Sequence, residues 1–441
     1  MKNPETLSTR RELLRNSSAA IAAGGLASTI GFPTILTGAP TSEKLKIGFI
    51  GCGGRGTGAA NQALTADSNV VLWAVGDAFE DKIQTSLASL EKIHANKIDV
   101  PKERQFVGLD AYQKVIDSGV DVVLLTTPPA FRPAHFKAAV AAGKHCFLEK
   151  PMATDAPGVR SVLETVEEAK KKKLGVLAGF CWRYHPAMRE TFQRLQDGAI
   201  GQIVANYNTY NTGSVDRYPK WDRQNTPRDL EWQVRRWYYF TWLSGDHIVE
   251  QGCHSIDKMA WAMGDKPPLK CVGHGGRQVR SGEDYGNIFD HFSIVYDYDQ
   301  GMRGFHFSRQ INRTAASNAD TFFGSEGLCE INGSLKQFVI KDLKGNLKWR
   351  YTQQGPPPDM YQVEHDEFFD SIRIGEPLND GPRMASSTLL AIMGRMAAYT
   401  GQEITWDMAI KSQERIVPEK MDWEMKLPVA PVAMPGITEF A

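Results

Sequence analysis

A short apolar run followed by a glycine-rich turn constrains the fold of this chain more than any other feature. Leu45–Ile50 has the composition of a buried strand and leads into Gly51, Gly53 and Gly56, at G-x-G-x-x-G spacing, and then into a helical segment, Arg55–Ala66. The first glycine permits a tight turn, the second lets the backbone approach a pyrophosphate, and the third lets the helix pack closely on the strand. The stretch predicts a dinucleotide site at a helix N-terminus; the alternative is a plain glycine-rich loop.

Short β-rich runs alternate with helical segments beyond this turn, which is typical of a parallel sheet with crossover helices. After residue 180 the pattern changes to longer alternating segments with turn signals, which indicates antiparallel pairing. The predicted fold class is α/β: an N-terminal Rossmann domain, meaning a doubly wound parallel sheet, and a C-terminal α/β domain with a largely antiparallel open sheet. The predicted boundaries are 1–42 for a signal and linker, 43–180 and 181–427 for the two domains, and 428–441 for an extended tail.

A carboxylate follows the second predicted strand at Asp77, about twenty residues beyond the glycine turn. At this place it can accept hydrogen bonds from both hydroxyls of an adenosine ribose, and it would repel a 2′-phosphate. NAD is therefore favoured over NADP as the cofactor. An N-cap role for the same aspartate is compatible with this prediction.

Composition excludes several classes of protein. The 441 residues are 42% hydrophobic, enough for two domains with separate cores. Lys plus Arg and Asp plus Glu both number 51 and no basic stripe stands out, so we expect no nucleic-acid partner. The six cysteines contain no C-x-x-C pair, which predicts neither a zinc site nor a disulfide framework.

The N-terminal segment resembles a twin-arginine export signal. Arg10 and Arg11 precede a mildly apolar run of small residues, Ser17–Leu36, whose glycines make it a poor membrane anchor. We expect export to the periplasm and no stable membrane insertion of the mature protein. The alternative is a cytoplasmic protein with a disordered extension.

A set of motifs along the first domain resembles the Gfo/Idh/MocA oxidoreductases, here of a twin-arginine-exported bacterial type. These motifs are the G-x-G-x-R-G turn, Asp77, Thr127-Pro128-Pro129 followed by His135, and Glu149-Lys150-Pro151. The resemblance implies the two-domain fold and an NAD site. The implied cofactor-binding residues are Gly51, Gly53, Gly54, Arg55, Gly56, Asp77, Thr127, Pro128, His135, Glu149 and Lys150.

The same resemblance places Lys150 beside the nicotinamide, where it would hold a substrate hydroxyl, after a cis Lys150-Pro151 bond. The alternative is a surface lysine that closes a strand. The family usually has aspartate four residues before a catalytic histidine in the second domain; here Glu250 precedes His254, which leaves the role of Glu250 open. The predicted catalytic residues are Lys150, His254 and Glu250.

On a regular helix Glu250, His254 and Asp257 would share one face, so the carboxylates could orient the imidazole and tune it as a base. A zinc site that includes His247 is the minor alternative, because His247 and His254 are seven residues apart and no H-E-x-x-H is present. We therefore expect no metal.

Substrate-binding residues are predicted in two segments. Arg183 and Tyr184 match the family segment that lines the cleft, and Asp257 is grouped with them. Trp237 and Tyr238 belong to a stretch rich in aromatics and arginines, which suits the apolar face and hydroxyls of a sugar ring. The alternative for these aromatics is core or subunit contact.

The leading hypothesis is an NAD-dependent oxidoreductase that interconverts a ring alcohol and a ketone of a sugar or polyol, with a tightly bound, recycled cofactor. One alternative is a glycosidase or lyase that reduces and reoxidises NAD within a turnover. Another is a non-enzymatic ligand-binding protein. The open sheet of the second domain favours a homodimer or homotetramer.

Overall fold

The computed structural model describes residues 43–215, 221–333, 335–356 and 359–441, so the predicted export signal lies outside the described residues. Two sheets dominate it. The first contains β1 to β6, which are Leu45–Ile50, Val70–Asp77, Gln105–Val107, Val122–Leu125, His145–Leu148 and Val176–Ala178. The second contains β7 to β15, which are Ile203–Thr212, Lys270–Gly276, His291–Asp297, Arg303–Gln310, Ala319–Gly324, Gly327–Asn332, Gln337–Asp342, Leu347–Arg350 and Ile404–Thr405.

The first sheet is parallel, in the order β3-β2-β1-β4-β5-β6. Its central strands are almost wholly buried, because helices cover both faces, and this explains their continuous apolar sequences. The described helices of this half, α1 to α5, are Gly54–Ala66, Glu80–His94, Ala111–Asp117, Arg132–Ala141 and Ala156–Lys171. The predicted doubly wound domain is confirmed.

The second sheet has the order β14-β13-β12-β11-β7-β10-β9-β8-β15. Its neighbours are antiparallel except β7 and β10, which run parallel, so the predicted largely antiparallel sheet is confirmed. The sequence patterns did not identify β11. This strand contains Asp320, which looks unsuited to a buried strand but is paired with the buried Lys258.

The described helices of the second half are α6 to α12, which are Pro186–Gln196, Asp229–Arg235, Thr241–Ser244, Cys253–Ala262, Met360–Arg373, Gly381–Thr400 and Trp406–Lys411. The largely buried α11 packs against both α5 and β8. Its Thr388 hydroxyl accepts a hydrogen bond from the Met152 N–H (3.0 Å), and its Arg395 donates to the Thr154 carbonyl (2.7 Å). The loop after β5 is therefore fixed against the second half of the chain.

The described part of the chain includes no helix long and apolar enough to cross a bilayer. All six cysteines are buried free thiols. Residues 412–441 form neither helix nor strand, and the extended tail predicted from residue 428 stays a prediction.

Candidate active site

The three glycines of the turn occupy three different environments. Gly51 has a φ of +96°, and a Cβ there would lie 2.6 Å from the Thr127 nitrogen. A Cβ on Gly56 would lie 2.1 Å from the Gly51 oxygen, since α1 packs directly on the turn. By contrast, no described atom lies within 4 Å of a Cβ on Gly53 or Gly54. The close contacts thus fall at the turn and at the helix packing, and the open positions fall where a pyrophosphate would approach.

The N-terminus of α1 is free to bind an anion. The helix begins at Gly54 after Gly53 as N-cap, with no side-chain capping bond and no acidic residue in its first turn among the described residues. Its first backbone N–H groups therefore lack intrahelical partners, and the helix dipole favours negative charge there. These residues fit a dinucleotide phosphate.

Asp77 ties the turn to the end of β2. One carboxylate oxygen accepts from the Cys52 N–H (2.7 Å) and the other from the Phe79 N–H (2.9 Å). Burial raises the pKa of Asp77 to about 6, against the lowering effect of these two bonds. Each oxygen keeps a further lone pair, so the carboxylate can still accept from ribose hydroxyls.

Arg55 and Glu149, both predicted to bind cofactor, contact each other. The Arg55 Nε lies 2.9 Å from a Glu149 oxygen, and its guanidinium lies over the Tyr361 ring at 4.6 Å. The pair joins the first turn of α1 to the end of β5. It therefore holds the two predicted cofactor motifs together.

His135 has a supporting position instead of an open one, which corrects the prediction of a direct cofactor contact. Its ring is buried and stacks on Tyr112 (4.0 Å between centroids), and Nδ1 lies 3.4 Å from the Thr127 hydroxyl. Burial lowers the pKa of His135 to about 3, so it is neutral. The ring therefore contacts the loop after β4 at Thr127.

Lys150 connects the end of β5 with the second half of the chain. It follows β5, precedes a cis peptide bond to Pro151 as the resemblance implied, and its Nζ lies 3.0 Å from a Glu250 carboxylate oxygen and also contacts the Glu250 carbonyl. Burial alone lowers the pKa of Lys150, but the negative charges of Glu250 and its neighbours outweigh burial and raise the pKa above its ordinary value. Lys150 is a protonated donor at neutral pH.

The predicted alignment of Glu250, His254 and Asp257 is wrong. Residues Ile248–Gly252 form a π-helical turn before α9, and such a turn accommodates an extra residue, so the four-residue spacing no longer places Glu250 above His254. Glu250 pairs with Lys150 instead. The carboxylates therefore do not orient the imidazole.

His254 is half-buried and lies edge-on to Phe180, with 6.3 Å between ring centroids. Burial, together with the charges of Lys150 and Lys258, lowers its pKa well below the ordinary value of 6.5. Its Nδ1 is buried without a hydrogen-bond partner among the described residues, which leaves Nε2 as the ring nitrogen available to a ligand. His254 is therefore a neutral acceptor.

Arg183 and Asp257, predicted to bind substrate, form a buried ion pair. The Arg183 side chain is 3% exposed and donates to Asp257 (2.8 Å) and to Asp265 (3.1 Å), while the Ser387 hydroxyl donates to Asp257 (2.7 Å). Tyr184 is likewise buried, and its hydroxyl donates to Asp380 (2.7 Å). These three side chains are held by buried partners within the second half of the chain, so their predicted substrate contact is corrected.

The two aromatic residues predicted to bind substrate, Trp237 and Tyr238, differ in burial. Tyr238 is fully buried and accepts a hydrogen bond from Gln310 (2.7 Å), which corrects its predicted substrate role, whereas Trp237 is half-buried and stays a prediction. Tyr210 on β7 was missed as a site residue. Burial raises its pKa to about 12, and the charges of Lys150 and Glu250 both act on its hydroxyl. The available sequence signal was its position in β7, on the strand face that points inward.

Comparisons with known proteins support nucleotide binding by the first half of the chain. Residues 45–178 match the family model described as oxidoreductase family, NAD-binding Rossmann fold, which is the Gfo/Idh/MocA model. Inositol 2-dehydrogenase of Paracoccus denitrificans is 38% identical over 143 residues. That segment is 32% of this chain and 38% of the relative, so the chain matches about two-fifths of that relative's length.

The solved structures of similar fold include two that cover most of this chain. Levoglucosan dehydrogenase, in complex with NADH and levoglucosan, has a TM-score of 0.66 at 16% identity and covers 82% of this chain and 99% of its own. Aldose-aldose oxidoreductase of Caulobacter crescentus, complexed with glycerol, has a TM-score of 0.65 at 18% identity and covers 82% of this chain and 100% of its own. At these identities the similarity shows the fold alone.

Proposed function

We propose that this chain, which belongs to the Gfo/Idh/MocA oxidoreductase family, transfers hydride between a ring carbon of a sugar or polyol and a bound NAD. The observation that carries the proposal is the Lys150–Glu250 pair, which joins the carboxyl end of the NAD-binding sheet to the second domain beside His254. A polar pair held in a cleft next to a neutral imidazole suits alcohol oxidation.

Bound NAD supplies the hydride acceptor at this site. The Lys150 ammonium donates a hydrogen bond to the oxygen of the reacting carbinol, and Glu250 keeps that ammonium charged and oriented. His254 Nε2 accepts the hydroxyl proton as the C–H electron pair leaves carbon and the C=O bond forms. The Tyr210 hydroxyl lies within electrostatic range of Lys150 and Glu250, and it contributes a further hydrogen-bond donor to the substrate.

Three similar proteins support the proposed substrate class. An inositol dehydrogenase, a levoglucosan dehydrogenase and an aldose-aldose oxidoreductase all act, by their names, on hydroxylated rings or aldoses. The last of these names pairs an oxidation with a reduction. Together with the predicted export, it supports a cofactor that stays bound and is recycled, because a protein that is exported in the folded state can carry its cofactor with it.

Substitution of Lys150 tests the catalytic assignment. We expect Lys150→Met to bind NAD nearly as well as the native protein but to lose about a thousandfold or more in hydride transfer, because the donor to the reacting oxygen is gone. Bound NAD is measured by its fluorescence in the reduced form, and transfer by its absorbance after sugar is added. The matched control is Lys137→Met, an exposed lysine on α4. Turnover retained in Lys150→Met would refute the assignment.

We also propose a homodimer through the outer face of the second sheet. One row across four strands of that face consists of Tyr207, Phe305, Val295 and Val272, and Tyr207 and Val272 are 43% and 44% exposed. An apolar row of this kind on a monomer is unusual. Tyr207→Lys should shift the protein to a monomer in light scattering, whereas an unchanged mass would reject this surface.

Export by the twin-arginine route is the third part of the proposal. Replacing Arg10 and Arg11 by lysine should keep the folded protein in the cytoplasm, as measured by cell fractionation. A periplasmic pool that survives this change would contradict the signal.

A further inference from the structure

The segment of residues 412–429, here named the strap, crosses from the nucleotide-binding half to the second half of the molecule. Its sequence from Met421 to Val429 alternates apolar and polar residues, and the same residues alternate between half-buried and exposed positions. It has no β-ladder partner in the described parts of the chain. The alternation therefore reflects an extended chain that packs one side on other elements.

The start of the strap is bonded to the nucleotide-binding half. Arg160 on α5 donates to the carbonyls of Ile410 (2.6 Å) and Ser412 (2.8 Å), and the Ile416 N–H donates to Asp155 (3.1 Å). Asp155 is also the N-cap of α5, where its other oxygen accepts from the Gly158 N–H. This attachment is thus built into a helix terminus.

The end of the strap is bonded to α7 in the second half. The Leu427 N–H donates to Asp229 (3.0 Å), and the Gln233 amide donates to the Leu427 carbonyl (2.6 Å). Between the two attachments, Trp423 packs on the Phe79 ring with 5.6 Å between centroids. The strap therefore reaches both halves, and its contact with Phe79 lies just beyond the end of β2.

That place lies two residues beyond Asp77, the carboxylate that marks the adenosine ribose end of the NAD site. From the other side, α7 places the Arg235 guanidinium 3.7 Å from the Phe79 ring centroid and 3.2 Å from the Asp81 carboxylate. Trp423 and Arg235 thus converge on Phe79. Neither residue belongs to the segment that matches the NAD-binding family model.

We propose that Trp423 of the strap and Arg235 of α7 close the adenosine end of the NAD site and make the cofactor a slowly released, resident group. The inference rests on the proposed function, which needs a retained NAD. A dinucleotide held under a segment bonded to both halves leaves only when those contacts open, so the dissociation rate reports on the strap.

The test compares NAD dissociation from the purified full-length protein and two strap variants. Trp423→Ala removes the packing on Phe79, whereas Lys426→Ala changes an exposed residue of the same strap and is the matched control. Protein loaded with NADH is mixed with excess NAD, and the loss of bound NADH fluorescence is followed. We expect dissociation about tenfold faster, or more, in Trp423→Ala and unchanged in Lys426→Ala. Circular dichroism verifies that both variants are folded.

Arg235→Met provides a second variant that leaves the strap intact. It should also speed dissociation, since the contact with Phe79 and Asp81 is lost. Equal dissociation rates in the native protein, Trp423→Ala and Arg235→Met would overturn the proposal even if NAD is retained and the enzyme is active. Fast dissociation from the native protein, whatever the rate in Trp423→Ala, would also overturn the proposal, while the hydride transfer of the proposed function could still be measured with added NAD.

Discussion

The glycine turn holds its shape through its own backbone, whereas the cluster around Glu250 is held by side chains from distant parts of the chain. A Cβ at Gly51 or Gly56 would meet backbone atoms of the turn and its neighbouring strand. Glu250 instead depends on Lys150, which lies one hundred residues away in sequence, and Asp257 depends on Arg183. Residue spacing along the sequence is therefore enough to predict the structure of the glycine turn, but only part of the structure around Glu250.

The difference has an energetic side as well. A larger side chain in the turn should lower the stability of the protein, because the backbone atoms there are already in close contact. The second region is sensitive to the loss of a charge, because each buried ion leaves its partner uncompensated. Substitutions of matched size can separate these two kinds of sensitivity.

The largest effect is expected for the buried ion pair. Arg183→Met should lower the free energy of unfolding by about 3–5 kcal/mol, because Asp257 is left charged in a buried site with Ser387 as its one remaining side-chain donor among the described residues. Arg303→Met is the matched control. Arg303 is 54% exposed and paired with Asp297, so its loss should cost below about 1 kcal/mol.

Chemical denaturation measures both variants. If Arg183 contacted substrate as its sequence position predicts, the main effect would be on KM and not on stability. A stable Arg183→Met protein with a raised KM would therefore restore the original prediction.

The glycine turn yields a smaller but sharper contrast. Gly56→Ala should destabilise the protein by about 1–3 kcal/mol, because its Cβ would overlap the Gly51 oxygen. Gly53→Ala should leave the unfolding free energy nearly unchanged and weaken NAD binding by about tenfold or more, since the Cβ enters the space of the phosphate. Thermal melts and NAD titrations distinguish the two. Equal effects of both alanines on stability would contradict the separate roles.

A change in pH dependence is the smallest expected effect. Glu250 is the largest contribution that raises the pKa of Lys150, while burial lowers it. In Glu250→Gln the lysine should therefore lose its proton at lower pH, and the alkaline limb of kcat/KM should move down into the range of about pH 8–10. The native enzyme should show no acid limb near pH 6.5, since the pKa of His254 lies well below it. Profiles that are identical in both proteins would exclude this role for Glu250.

The sequence predicted those features that are set by near neighbours along the chain. Apolar runs located the central parallel strands, and the glycine spacing located an open helix N-terminus at Gly53 and Gly54. The failures have two causes. The π-helical turn at Ile248–Gly252 changed which side chains share a helix face, and Arg183 and Asp257 form a buried ion pair across the chain.

The strap was missed for a related reason. The alternating pattern from Met421 to Val429 was present in the sequence. However, an alternating run forms a β-strand only where a neighbouring strand pairs with it. The residues that it covers, Phe79 and α7, are hundreds of residues earlier in the sequence. Only the three-dimensional arrangement connects the C-terminal segment with the cofactor end of the sheet.

The most direct test is mass spectrometry of the small molecules released when the desalted protein is denatured. We expect NAD, equimolar with the chain and surviving desalting, whose nicotinamide changes redox state when a sugar or polyol is added without external cofactor. Release of an aglycone from aryl glycosides under the same conditions would instead favour the redox-neutral glycosidase. Protein that carries no dinucleotide after desalting would contradict a retained and recycled cofactor.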